Sequence, residues 1–244
     1  GSRFMASGAG HAPTPEEEGF SKATIVERRR ITPTTVFLGL EITDPGFSFK
    51  PGNWVDFVIP SLQTVGGYSI NSLPRELPKL SLAVKESTHP PAAWVCQESE
   101  VGHVVDIKSG GTWQWEDGMD ADADLLLLIA GGIGISPLIS IARAAAEASS
   151  RPKRVSLMYS SRTEAELAFR NEIESLEGLG VVTSLFCTGE VAAGAAQERI
   201  SVTHVEDLAK ATGADLEKTV VYLCGPPEMI DTLVDGLLAL GNSL

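Results

Sequence analysis

A loop rich in glycine is the feature of this sequence that points most directly to chemistry. Residues 131–134 contain three glycines and separate the apolar run 125–130 from Ser136 and Pro137. Serine is a preferred N-cap and proline favours the first helical position, so we predict a helix with Ser136 as its N-cap. Backbone N–H groups at a helix start bind anions, and glycines let a ligand approach closely. The loop therefore predicts a diphosphate site; a tight turn without a ligand is the alternative.

Three further segments follow predicted parallel strands, where open α/β sheets bind ligands. They are residues 159–163, 186–190 and 224–229. Arg162 could bind a phosphate through charge-assisted hydrogen bonds, and a solvated arginine is the alternative. Cys224 ends its strand beside a stiff Gly-Pro-Pro loop, which places it at the same crevice. A buried cysteine that only packs is the alternative there.

From about residue 119 onwards, strand and helix patterns alternate, which predicts a parallel sheet with helices on both faces. The first strand is a continuous apolar run, as expected of a strand buried on both sides. The predicted strands are 125–130, 155–159, 181–187 and 220–224, and the predicted helices are 137–148, 164–176, 203–211 and 228–240. Support for the helix ends comes from two capping boxes and a glycine stop: Thr163-x-x-Glu166, Thr203-x-x-Glu206 and Gly241.

The first half has the pattern of short strands separated by turns, which is typical of an antiparallel barrel. The predicted strands are 23–30, 34–41, 54–59, 80–85 and 101–107, with one short helix over 91–98 and turns at 44–46, 51–52, 66–67 and 90–91. We therefore predict two domains, an antiparallel β-barrel followed by an α/β parallel-sheet domain. They cover residues 20–118 and 119–244, with an acidic linker at 116–124, and residues 1–19 form a flexible lead-in with an expression scar.

Composition narrows the function classes. With 19 Lys and Arg against 32 Asp and Glu, the net charge is -13, which argues against a nucleic-acid partner. The three cysteines are far apart, which argues against disulfides, a zinc site or an iron–sulfur cluster and favours a reducing compartment. The longest apolar run is too short to span a bilayer. The four histidines are scattered, and we expect none to be catalytic.

Together, these segments resemble the nicotinamide-binding half of the ferredoxin–NADP reductase family. The family's G-G-x-G-x-x-P, aromatic-x-x-R-T-x-x-E-L-x-F and C-G-P-P-x-M motifs match residues 131–137, 159–169 and 224–229. Within the family, residues 89–94 and 129–135 are similar to a group described as oxidoreductase NAD-binding domain-containing proteins. The resemblance implies a nicotinamide dinucleotide bound by Gly131, Gly132, Ile133, Gly134, Ser136, Pro137, Ser160, Ser161, Arg162, Cys224, Gly225, Pro226, Pro227 and Met229.

The resemblance extends to the first half, where the family carries an FAD-binding barrel. Residues 50–55 are similar to its K-P-G-Q-[FWY]-V turn, and residues 67–74 to the end of its R-x-Y-S-x-x-S-x-P signature. By resemblance, Tyr68 packs against the isoalloxazine ring, Ser69 hydrogen-bonds its reactive nitrogen, and the nicotinamide lies near Cys224. These three are the implied catalytic residues. The implied flavin-binding residues are Gly67, Tyr68, Ser69, Ile70, Asn71, Ser72, Val84, Lys85, Pro91, Ala92, Ala93 and Trp94.

Three departures from the family pattern concern the flavin. The arginine that precedes the signature tyrosine by two residues is Gly66 here, residues 90–94 lack the family's hydroxyl, and no terminal aromatic follows residues 241–244. A charge-assisted phosphate contact is worth ~1.5–3 kcal/mol, so we expect weakened FAD binding. Gly66→Arg is expected to tighten it.

The resemblance implies a flavin-dependent NAD(P)H oxidoreductase that passes electrons to a separate protein or small molecule. We expect NADH rather than NADPH, because Glu190 would repel an additional phosphate. The alternative is a catalytically silent nicotinamide-nucleotide-binding sensor or scaffold subunit that has lost tight flavin binding. A mitochondrial location is implied by the resemblance, with the cytoplasm as the alternative.

Overall fold

A computed structural model describes residues 19–62, 64–189 and 194–239. Over these residues the chain forms two compact units, one ending at Gln114 and one starting at Trp115. Each unit has its own sheet and its own hydrophobic core. The fold class is the predicted one, an antiparallel sheet followed by a parallel α/β sheet.

The first unit is a six-stranded antiparallel sheet in the order β4-β3-β6-β1-β2-β5. A bridge between Ile70 and Leu82 joins the chain after β4 to β5 and closes the sheet into a barrel. Alternate residues of the strands point inward, as the period-two pattern predicts, and fill a core that includes Val55 and Phe57. The elements are β1 (Ser21–Thr32), β2 (Thr35–Ile42), β3 (Trp54–Val58), β4 (Val65–Ser69), β5 (Lys79–Lys85), α1 (Pro90–Gln97) and β6 (Val104–Gly110).

Two turns predicted in the barrel are wrong. Gly66 and Gly67 lie inside β4, a strand that the sequence pattern misses because glycine has a low strand propensity. Pro90 and Pro91 are the first two residues of α1, where a fixed φ and a missing N–H are both tolerated. The strand over 101–107 is also displaced, because β6 begins only at Val104.

The second unit is a four-stranded parallel sheet in the order β10-β7-β8-β9. Every residue of β7 is buried, which agrees with the continuous apolar run. Helices follow the strands in the alternation that the sequence predicts. The elements are β7 (Leu125–Gly131), α2 (Ile135–Glu147), β8 (Val155–Ser161), α3 (Arg170–Gly178), β9 (Val182–Cys187), α4 (Val202–Thr212), β10 (Thr219–Cys224) and α5 (Pro227–Ala239).

The start of α2 differs from its prediction. Gly134 rather than Ser136 is the N-cap, and a 3₁₀ turn over Gly132–Gly134 leads directly into the helix. Ser136 and Pro137 are therefore the second and third helical residues. Proline fits there because N–H groups of the first turn need no intrahelical partner.

Both predicted capping boxes are wrong in detail. Thr163 starts only a 3₁₀ turn over Glu164–Glu166, and α3 begins later because Phe169 takes a left-handed φ of 61°. The box that starts α4 consists of Ser201 and His204 rather than Thr203 and Glu206. The predicted stop at Gly241 lies outside the described residues.

Candidate functional site

The carboxyl ends of the four parallel strands define one edge of the α/β sheet. The strands end at Gly131, Ser161, Cys187 and Cys224, and all predicted nucleotide-binding segments follow directly from them. Because parallel strands share their direction, the sheet brings these segments together at one edge, where open α/β sheets bind ligands.

The glycine loop is interlocked with the loop after β10. A Cβ on Gly131 would lie 2.7 Å from Met229 Sδ and from Pro226 Cδ, and one on Gly134 would lie 2.3 Å from the Cys224 carbonyl oxygen. These two glycines are required by contacts within the protein. Gly132 differs, because its φ is 55° and nothing lies within 4 Å of its Cβ position.

The start of α2 offers polar groups to an anion. Ser136 is 2% exposed, and its hydroxyl has no hydrogen-bond partner among the described residues. A buried hydroxyl without a partner costs about 1–3 kcal/mol, so such a group marks a place where a ligand or water is needed. Ile133 is half-buried and Pro137 is buried. The helix dipole adds a positive potential at this end of α2.

The loop after β8 presents Arg162. Its neighbour Ser161 is buried and donates its hydroxyl to the Thr163 carbonyl, while Gly189 N–H donates to the Arg162 carbonyl at 2.8 Å. The side chain of Arg162 is exposed, so backbone contacts hold the loop and leave the guanidinium in solvent. Ser160 is 8% exposed. Glu190, on which the NADH preference depends, lies outside the described residues.

Tyr159, the aromatic residue of the same motif, has a structural role. It is fully buried, and its hydroxyl accepts from Ala168 N–H at 3.1 Å and lies 3.4 Å from the Glu166 carbonyl. This hydroxyl fixes the chain between β8 and α3.

Cys224 ends β10 with a half-buried side chain. Burial raises the pKa of its thiol to about 11, so the thiol is neutral near pH 7. A neutral thiol suits packing beside an uncharged ring and does not suit nucleophilic attack, which needs a thiolate. Pro226 turns the chain after it, because its carbonyl accepts from Met229 N–H at 3.0 Å and Ile230 N–H at 3.1 Å.

In the barrel unit, Tyr68 and Ser69 are neighbours on opposite faces of β4. Tyr68 lies on the same face as Val55 and contacts the Phe57 ring edge-on at a centroid distance of 5.5 Å. Its ring also lies over Gly66, where a Cβ would come within 2.7 Å of Cε2 and Oη. The hydroxyl is buried without a partner among the described residues, and burial raises its pKa.

Ser69 lies on the outer face of the sheet beside Trp54, a residue that our sequence-based site omits. Trp54 pairs with both Ser69 and Gly110. Its indole lies across glycines, because Cβ atoms on Gly110 and Gly111 would come within 3.3 and 2.9 Å of it, and one on Gly67 within 3.9 Å. A Cβ at Gly111 would displace the ring, one at Gly110 would shift it by a few tenths of an ångström, and one at Gly67 would only contact it. The signal for this platform is the K-P-G-N-W-V segment.

The other predicted flavin-binding residues belong mostly to the barrel core. Ser72 accepts from Ser81 N–H at 3.0 Å, and the Asn71 side-chain oxygen accepts from the Ser81 hydroxyl. Trp94 stacks on His103 with 5.4 Å between the ring centroids. Buried members of the set are Ile70, Asn71, Ser72, Val84, Pro91, Ala92 and Trp94, whereas Ala93 is half-buried and Gly67 and Lys85 are exposed.

Two negative findings apply to the described residues. They contain no group of three or more His, Cys, Asp and Glu side chains placed to hold a metal ion. None of their helices has the length and apolar character needed to cross a bilayer.

An antiparallel six-stranded sheet followed by a parallel α/β sheet with a glycine loop is the two-domain fold of ferredoxin–NADP reductase-like flavoproteins. The chain is similar to a solved ferredoxin NADP+ reductase from Neisseria gonorrhoeae with bound FAD and NADP. Their TM-score is 0.79 at 19% identity, over 93% of this chain and 94% of that chain.

Sequence comparison gives the family. A profile described as "Oxidoreductase NAD-binding domain" matches residues 128–235. The chain is 35% identical to oxidoreductase NAD-binding domain-containing protein 1 of Bos taurus over 236 residues, 90% of this chain and 76% of that protein. It is 29% identical to the reductase component of propane 2-monooxygenase from Gordonia sp. (strain TY-5), over 89% of this chain and 62% of that protein. The chain therefore belongs to the oxidoreductase NAD-binding domain family.

Proteins of this fold bind FAD in the barrel domain, and the barrel unit here has groups suited to the flavin ring but not to the diphosphate. For the flavin ring, the outer face of the sheet offers the indole of Trp54 and the hydroxyl of Ser69, whereas Tyr68 points to the opposite face. For the diphosphate, the position of the family arginine is Gly66, and Tyr68 fills the space above it. Gly66→Arg therefore requires Tyr68 to move, and the tighter FAD binding expected from the sequence depends on that movement.

Proposed function

We propose that the chain is a flavin-dependent NAD(P)H oxidoreductase that passes electrons to a separate acceptor. In this proposal the α/β unit binds the nicotinamide nucleotide and the barrel unit binds the flavin ring. The family supports the coarser statement, an NAD-binding oxidoreductase of ferredoxin–NADP reductase-like fold.

The observation that carries the proposal is the interlocking of the glycine loop with the loop after β10. Met229 and Pro226 contact Gly131, and the Cys224 carbonyl contacts Gly134, so binding at one loop depends on the position of the other. A diphosphate at the start of α2 and a nicotinamide ring beside Cys224 would use both loops together. The unpartnered hydroxyl of Ser136 supports the placement of the anion.

The protein's part in the reaction is orientation and exclusion of water, because a bound flavin supplies the hydride and single-electron chemistry. Cys224 would provide a neutral surface for the nicotinamide ring, and Ser69 a hydrogen bond to the flavin ring. Hydride transfer needs no nucleophile or general acid from the protein. The rate of hydride transfer therefore depends on how closely the two rings are aligned, and a small displacement of either ring lowers it.

For the coenzyme we propose NADH. Arg162 is exposed and could contact the adenosine half of either coenzyme. Glu190 follows the predicted strand 181–187 in the sequence and would repel the 2′-phosphate of NADPH. The electron acceptor would be a separate protein or a small molecule.

The test is an absorbance spectrum of the purified chain with and without added FAD, followed by anaerobic titration with NADH and NADPH. We expect flavin absorbance bands that NADH bleaches stoichiometrically at lower concentration than NADPH does. A flavin that binds but is not bleached by either coenzyme would contradict the proposal.

A second candidate is a silent nicotinamide-nucleotide-binding subunit. The observation that favours it is the lack of a cation at Gly66, whose space Tyr68 fills. In that case the purified chain takes up no flavin, yet NADH raises its melting temperature, because a ligand that binds only the folded state stabilises it.

A further inference from the structure

The two ends of a flavin meet different conditions in the barrel unit. A ring finds an aromatic platform at Trp54 and the hydroxyl of Ser69, which lie side by side on the outer face of the sheet. A phosphorylated tail needs cations or free amides instead. Two sets of groups in the barrel unit could supply them, the N–H groups at the start of α1 and the guanidinium groups of β1.

The start of α1 is depleted of donors. The first four N–H groups of a helix lack intrahelical partners and can bind an anion. Here Pro90 and Pro91 occupy the first two positions and carry no N–H. The N-cap residue His89 donates its N–H to Ser87 Oγ at 3.3 Å. Of these four positions, Ala92 alone has an N–H left to donate to a phosphate.

Two of the three arginines of β1, Arg28 and Arg30, contact the carboxyl end of α1, and Arg29 pairs with Glu27 at 2.9 Å. Arg28 donates to the Cys96 carbonyl at 2.8 Å and to Ser99 Oγ at 3.0 Å. Arg30 donates to the Pro33 carbonyl at 2.8 Å. Lys85 is the cation among the predicted flavin-binding residues, and it is exposed, where an ion pair contributes about 0–1 kcal/mol.

We propose that this chain recognises the isoalloxazine ring and not the tail, so that riboflavin, FMN and FAD bind with similar affinity and exchange with solution. The inference rests on the proposed function and gives it a substrate class, free flavins. A hydride from the reduced nicotinamide and a proton from water convert the oxidised flavin to the dihydroflavin. The dihydroflavin then leaves and carries both electrons to the acceptor.

The test is titration of the full chain with riboflavin, FMN and FAD at one ionic strength. Flavin fluorescence and calorimetry give the three dissociation constants. Each charge-assisted phosphate contact would favour FAD over riboflavin by roughly ten- to a hundredfold, so its absence predicts dissociation constants within about threefold. FAD binding about tenfold or more tighter than riboflavin binding would overturn the inference but leave the proposed function intact. If none of the three binds, the proposed function fails as well.

A matched pair of variants tests the position of the tail. Pro90 is exposed, so Pro90→Ala restores one N–H without loss of packing, and Pro90→Ser adds a hydroxyl. We expect both to raise FAD affinity severalfold with riboflavin affinity unchanged, and the serine variant to raise it more. Equal effects on riboflavin and FAD, or no effect on either, would count against the assignment of the tail to the start of α1.

Discussion

At the scale of single residues, the glycine loop shows that the same residue type can serve two purposes. Gly131 and Gly134 make room for neighbouring protein atoms, whereas Gly132 supplies a left-handed turn that opens to solvent. A sequence motif cannot separate these roles, because the atoms that crowd Gly134 lie some ninety residues later in the chain, at Cys224.

We expect Gly134→Ala to destabilise the α/β unit and weaken nucleotide binding. Its Cβ would lie 2.3 Å from the Cys224 carbonyl oxygen, which belongs to a strand end and cannot yield easily. Overpacking of this kind costs about 1–3 kcal/mol.

Gly178→Ala is the matched control, because nothing lies within 4 Å of its Cβ position at the end of α3. Alanine at position 178 should raise the free energy of unfolding by up to about 1 kcal/mol, because glycine loses more conformational freedom in a helix. Denaturant unfolding measures both, and equal effects would refute the packing role.

Cys224 should react slowly with alkylating reagents. A pKa of about 11 leaves far less thiolate at pH 8 than an ordinary cysteine has, roughly a hundredfold less. We expect the rate of iodoacetamide labelling to rise about tenfold per pH unit from pH 8 towards pH 11, with Cys224→Ser as the blank. Rapid labelling at pH 7.5 would show that the thiol is not desolvated. Cys96 and Cys187 are buried and should contribute little.

At the scale of elements, α1 is held by its carboxyl end. Arg28 binds the Cys96 carbonyl and Ser99 Oγ, which places a cation at the negative end of the helix dipole. Arg28→Ala should cost about 1–3 kcal/mol of barrel stability, because buried acceptors lose a charged donor. Lys79→Ala removes the same charge from an exposed site on β5 and should change stability by less than about 0.5 kcal/mol. Thermal unfolding of the two variants measures the difference. Equal losses of stability in Arg28→Ala and Lys79→Ala would refute the capping role of Arg28.

The sequence predicts the strands whose apolar pattern follows from burial. It does not predict those whose residues are explained only by particular side-chain contacts. The predicted bounds of the all-apolar β7 and of the alternating β2 and β3 agree with the observed ones to within one residue at each end. β4 was missed because Gly66 and Gly67 have low strand propensity, and only the packing of Tyr68 on Gly66 explains a glycine there. Similarly, Trp54 became a candidate only once its glycine neighbours on β6 and β4 were known.

At the scale of the whole molecule, each unit has its own core and its own sheet. We expect residues 115–244, produced alone, to fold cooperatively and to keep the affinity of the full chain for NADH. Circular dichroism and thermal shifts with NADH are the measurements. Folding without NADH binding would mean that the coenzyme also needs residues of the barrel unit, and aggregation would mean that the unit is not independent.

The closure of the barrel has a consequence for its motions. Along Val65–Ser69, β4 is paired on one flank with β3, and the link to β5 comes only afterwards, at Ile70 and Leu82. Amides on the unpaired flank should take up deuterium sooner than those of Ala23 and Thr24 near the start of β1, which are paired on both sides. Since β5 is likewise paired along one flank only, with β2, the seam between β4 and β5 should open more readily than the rest of the barrel, and a flat solute could enter and leave there without global unfolding.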